Sequence, residues 1–108
     1  MANHWLLLAI AIALEVCGTL LLKQSHGFAR WQLGVTAIGF YVLCFWVFAT
    51  ALRSIPVGVA YAIWAGAGIV MIAAIGHAVF DEKLGLTQLF FMSLVVIGIV
   101  GLRLATPQ

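Results

Sequence analysis

One carboxylate, Glu15, stands in the middle of the apolar run from Trp5 to Leu22. An ionisable group at the centre of a bilayer costs roughly 2.5 to 3.5 kcal/mol on insertion scales, so an acid placed there marks a functional site by default. At helical spacing Glu15 shares a face with Leu8, Ala11, Ile12, Gly18, Thr19 and Leu22. Small residues on such a face make a close-packing seam between helices, or they leave room for a ligand beside the carboxylate. A binding chamber accounts for the acid as well as its neighbours. Further along, Tyr61 and Trp64 are three residues apart and share a face with Gly58, Ala65 and Gly68. Aromatic faces attract cations, by about 2 kcal/mol or more when the pair is desolvated. Tyr41, Cys44, Phe45 and Phe48 form a second stripe at helical spacing, which on its own fits core packing as well as a pocket wall. A carboxylate with aromatic walls describes a site for a lipophilic cation.

The elements that must position these groups are membrane spans. The 108 residues are 66% hydrophobic and only 7% charged, with a mean hydropathy of +1.23, far outside the range of soluble domains. Apolar runs cover about 5–22, 31–52, 56–80 and 86–104, each near the ~20 residues that cross ~30 Å of hydrocarbon as a helix. The spacing predicts an all-α integral membrane protein, with residues 1–108 forming one four-helix domain whose short connections make successive helices antiparallel neighbours. The first run has no basic start and is followed by Lys23 rather than a small-residue cleavage site, so it reads as a retained span and not a signal peptide. Cys17 and Cys44 lie in different spans without metal-ligand spacing, and packing suits them best. His4 and His77 fall near span ends, as interfacial polar groups. No HExxH, GxSxG or phosphate-binding loop occurs. An enzyme is disfavoured, and no metal, cofactor or nucleic-acid partner is expected.

With four spans, Arg53 and Arg103 fall on one side of the membrane and Lys23, Arg30 and Lys83 on the other. That near balance gives the Lys/Arg rule little to act on. Either the one extra base fixes a single orientation, or the chain inserts both ways and two copies associate upside down relative to each other. Secondary transporters often build alternating access from inverted repeats around a midplane site, and a dual-topology, antiparallel homodimer would supply the repeat from identical copies. Gly66 and Gly68 are candidate hinge positions, although close packing explains them equally. The Leu94, Gly98, Gly101 and Ala105 face of the fourth span is partly small and suits a dimer contact, with Gly98 and Gly101 at its centre.

The segments Glu15-Val16-Cys17-Gly18-Thr19 through Lys23, Gly27-Phe28, and Ile55-Pro56-Val57-Gly58-Val59-Ala60-Tyr61-Ala62-Ile63-Trp64-Ala65-Gly66-Ala67-Gly68 closely resemble the small multidrug resistance transporters. The resemblance extends along essentially the whole chain. It implies a bacterial inner-membrane antiporter that exports lipophilic aromatic or quaternary ammonium cations in exchange for protons, with Glu15 as the shared proton and substrate site. It also implies that Tyr41, Tyr61 and Trp64 meet substrate, and that Leu8, Ala11, Gly18 and Phe45 lie near the chamber. Guanidinium exporters of the family typically have Trp at the position of Gly18 and Thr at that of Ala65, which sets this chain with the drug exporters. Ser25-His26-Gly27-Phe28 and Gly98-Ile99-Val100-Gly101-Leu102-Arg103 look more like the guanidinium branch. Phe91 stands where the drug exporters commonly have a small residue at their fourth-helix contact. Polyamine-exporting relatives work as pairs of different subunits, so a guanidinium or polyamine exporter with a second partner chain is an alternative. A non-transporting membrane subunit, with Glu15 paired to a partner's base, is another.

Overall fold

Pro56 has no backbone N–H to donate and sits at φ −54° just before the third helix, the position where that helix can begin without losing a hydrogen bond. The other boundaries have equally local causes. In the computed structural model, which describes residues 2–106, the chain forms α1 (Ala2–Gln24), α2 (Trp31–Ala51), α3 (Val57–Val79) and α4 (Leu86–Ala105). Residues 1, 107 and 108 of the expected 1–108 domain lie outside the described residues. The helices contain 23, 21, 23 and 20 residues, which at ~1.5 Å per residue is enough to cross the hydrocarbon. All four are apolar enough to do so, and no strand occurs among the described residues. α1 extends past both ends of the expected 5–22 span.

The α1–α2 turn carries three successive residues at positive φ, His26 (51°), Gly27 (66°) and Phe28 (70°). Ser25, fully buried, holds this turn together. Its hydroxyl donates to the Leu22 carbonyl (2.7 Å) and accepts from the Phe28 N–H (3.2 Å). The Phe28 ring then lies over Gly34, where any Cβ would overlap it. At the end of α3, Asp81 takes φ 59°, and the Glu82 N–H returns to the Gly76 carbonyl at 3.2 Å. His77 Nδ1 donates to the Glu82 carbonyl at 2.8 Å. The Gln88 side chain accepts from the Gly85 N–H at 2.7 Å, capping the start of α4.

α1 is the central helix. It packs on α2 along one side and on α3 along the other, while α4 packs on α3. The fold is a flattened layer, 17 Å through its thinnest dimension against 44 and 35 Å along the others. The core lies where small residues let α1 approach its neighbours. Ala11, Ala37, Ala51 and Ala60 have no exposed surface, and Leu8, Ile12, Val16, Cys44 and Ile63 fill the space between them. The Cys44 thiol donates to the Ala11 carbonyl at 3.2 Å, fastening α2 to α1. α4 buries no residue within the subunit.

The helix ends show the alternating path, but α2 and α3, expected as neighbours because they follow each other in the chain, do not pack side by side: α1 lies between them. The Arg103 guanidinium stands 4.3 Å from the Trp5 ring centroid, bringing the start of α1 and the end of α4 together. At the opposite end, Lys23 Nζ and Glu82 Oε2 pair at 3.0 Å, joining the α1–α2 and α3–α4 connections.

Candidate functional site

Between α1, α2 and α3 a groove of about 500 Å³ opens on one face of the layer. α1 contributes Glu15 and Thr19, four residues apart on one helix face. α2 contributes Tyr41 and Phe45. The α3 wall includes Trp64, Ala65 and Ile69, and Glu82 reaches in from the connection after α3.

Glu15 projects from α1 onto α3. Its carboxylate lies against Gly68 of α3, so closely that a Cβ there would overlap Oε1. Oε1 is buried and accepts no hydrogen bond. An unpartnered carboxylate oxygen away from water is costly, and one beside an open groove is poised to take a proton or a cation. Thr19 and Tyr41 hydroxyls hydrogen-bond each other across the α1–α2 seam, fixing the phenol on the groove wall.

The aromatic wall is built around Trp64. Its ring stands 4.9 Å from Phe48, 5.5 Å from Tyr61 and 6.0 Å from Phe45, centroid to centroid, with interplanar angles of 30°, 46° and 64°. These are the tilted and edge-on arrangements that aromatic rings favour. The Trp64 indole N–H is buried without an acceptor, a second unsatisfied polar group within the same cluster.

The structure thus gathers Glu15, Tyr41, Phe45 and Trp64 on one groove. Tyr61 touches Trp64 but is 58% exposed on the outer side of the cluster. Leu8 and Ala11 are buried in the core two turns and one turn before Glu15, respectively, and do not reach the groove. Gly18 is buried against α2, where an added Cβ would stand 3.3 Å from the Ala37 carbonyl oxygen, Phe40 Cβ and Tyr41 Cε1. Gly66 faces α4, where a Cβ would meet Ile99 Cδ1 at 3.0 Å and Val95 Cγ1 at 3.2 Å. A Cβ at Gly98 or Gly101 would meet nothing within 4 Å, and both residues are exposed on α4. Besides the small and apolar wall residues Ala65, Ile69, Ile72 and Ala73, Thr19, Phe48 and Glu82 had no place among the expected site residues. Thr19 follows from its spacing to Glu15, and Phe48 from the stripe it shares with Phe45. Glu82 arrives through a loop that carries no periodicity.

The groove thus sets a carboxylate beside aromatic rings, between helices long and apolar enough to cross a membrane. Residues 3–95 match the family model described as Small Multidrug Resistance protein, and the chain belongs to that family of multi-pass membrane transporters. It is 45% identical over 102 residues to the quaternary ammonium compound-resistance protein QacF of Klebsiella aerogenes, covering 94% of this chain and 93% of that one. It is 40% identical over 109 residues to the multidrug transporter EmrE of Escherichia coli K12, covering 98% and 99%. It is 38% identical over 102 residues to the guanidinium exporter of the same strain, covering 94% and 97%. The family and these relatives place the chain in the bacterial inner membrane as a transporter and not an enzyme.

Proposed function

We propose that this chain is a proton-coupled antiporter exporting lipophilic aromatic or quaternary ammonium cations, with protons and substrate competing for Glu15. The observation that carries the reading is the half-buried Glu15 carboxylate, whose Oε1 is buried and unpartnered, on a groove walled by Trp64, Phe45 and Tyr41. A cationic substrate supplies the missing partner and brings apolar surface to the aromatic wall. A proton supplies the same partner by removing the charge. Protonation also removes the attraction that offsets the substrate's desolvation, so each ligand promotes release of the other.

Alternating access comes from an antiparallel, dual-topology homodimer whose α4 faces, with Gly98 and Gly101, meet across the interface. Support comes from the near-even split of basic residues and from an α4 that buries nothing within its own subunit. Gly66 and Gly68 serve as the hinge of α3. Gly66 sits against α4 and Gly68 against Glu15, so a bend between them couples occupancy of the acid to movement against α4.

A guanidinium exporter is the second reading, favoured by the 38% identity to such a protein. The groove speaks for the first. Ala65 contributes no hydroxyl to hold a small planar ion by directional hydrogen bonds, and Gly18 is packed too tightly against α2 for a large side chain. The test is exchange in proteoliposomes with a quaternary ammonium set against guanidinium, for the parent and Glu15→Gln. Proton-driven uphill movement of the quaternary ammonium that is lost in the variant supports the proposal. Movement that survives the substitution refutes it.

A further inference from the structure

The groove holds a second carboxylate. Glu82 lines its far end together with Thr19 and Ile72, and the same side chain borders the small adjoining cavity under Lys23 and Phe80. Glu82 lies against Gly76, where a Cβ would overlap its Oε1, as Glu15 lies against Gly68. The two glycines are eight residues apart on α3, so the two acids stand about 12 Å from each other along the helix axis at ~1.5 Å per residue. Between them the wall is uncharged: Thr19, Ile69, Ile72 and Ala73. Unlike Glu15, Glu82 has a cation already. Lys23 Nζ sits 3.0 Å from its Oε2 and 5.7 Å from the Phe80 ring centroid, so an ammonium beside a carboxylate and an aromatic face is present at this end of the groove. Both partners of that pair are about half exposed, at 55% and 52%. Such a pair is weak and exchangeable in water.

We propose that Glu82 is a second cation subsite of this groove, occupied in the unloaded protein by Lys23, and that it selects elongated substrates carrying a second positive charge about 12 Å from the first. One cationic end takes Glu15, the apolar linker lies along Ile69 and Ile72, and the other end displaces Lys23 from Glu82. Lys23 is therefore an internal competitor: removing its charge frees the subsite, whereas removing the charge of Glu82 abolishes it. The inference rests on the reading of Glu15 as a cation site.

The experiment compares affinities for two probes with the same alkyl chain, octyltrimethylammonium and the bis-quaternary ammonium bearing trimethylammonium groups at both ends of an eight-carbon linker. Binding is measured by calorimetry on the full-length protein. Glu82→Gln lowers the ratio of dication to monocation affinity by about twofold to fivefold, the worth of a half-exposed ion pair, and Lys23→Gln raises it by a similar factor. Because the ratio is taken within each variant, a general loss of folded protein cancels, and the opposite sign expected for Lys23→Gln carries the test if Glu82→Gln does not fold. An unchanged ratio in either folded variant, or a shift of the same sign in both, overturns the proposal. Monocation binding that ignores Glu15→Gln instead refutes the cation-site reading beneath it.

Discussion

The Glu15 carboxylate rests on the bare Cα of Gly68, a fit between α1 and α3 that no side chain larger than hydrogen permits. The helix propensity of glycine is about 1 kcal/mol poorer than that of alanine, so this position keeps a residue that weakens its own helix. Gly68→Ala should separate the two effects. The flexible carboxylate can rotate away, leaving thermal stability in detergent equal or slightly raised, while affinity for a quaternary ammonium falls by about tenfold, some 1.4 kcal/mol. Calorimetric binding beside a thermal melt checks both halves.

Trp64 is the hub of the aromatic wall, within 6.0 Å of Phe45, Phe48 and Tyr61. Trp64→Ala should weaken binding of an aromatic cation by about 1 to 2 kcal/mol through lost cation–π and dispersion contacts. Proton release from Glu15, followed by NMR titration of its carboxyl carbon, should change far less. Loss of both together would mean that the tryptophan holds the acid rather than the substrate.

Gly18 sets the spacing of α1 and α2. A Cβ there would stand 3.3 Å from the Ala37 carbonyl oxygen, which is backbone and yields little. Gly18→Ala should therefore be tolerated at a cost of about 1 kcal/mol, and Gly18→Trp should cost several times more by forcing α2 away. Thermal melts of the two variants, with Thr19–Tyr41 separation reported by fluorescence quenching, test this order.

Much of the fold was legible in the sequence because membrane spans announce themselves by length and hydropathy, and because four spans with short loops leave few arrangements. The heart of the candidate site was legible in part: an acid within an apolar run has few explanations, and Trp64 shares a helical face with Gly68, against which the structure sets Glu15. Leu8 and Ala11 share the Glu15 face by spacing, but α1 lies between two helices, and its buried stripe turns from core to groove within a few residues. Spacing along one helix cannot show where that change falls. Glu82 was illegible for the opposite reason. Its position depends on the left-handed turn at Asp81 and on the return of its N–H to Gly76, and loop geometry of that kind leaves no periodic trace.

Gly98 and Gly101 meet nothing within the subunit. Gly98→Leu should leave the stability of an isolated chain unchanged and shift the monomer–dimer balance in lipid towards monomer, as read by energy transfer between labelled copies at varied dilution. In the same membranes, a single cysteine at the C-terminus of an otherwise cysteine-free chain should label from both sides. Two added lysines in the connections on one side should bias it to one orientation.

The competition between protons and substrate at Glu15 is most directly tested by counting protons released when a saturating quaternary ammonium is added to the protein in weakly buffered solution, across a range of pH. The account predicts that protons are released at every pH where Glu15 begins protonated, that apparent substrate affinity falls as pH drops through the same transition, and that Glu15→Gln releases none. Substrate binding with no proton release at any pH, and with affinity flat across the range, would contradict it.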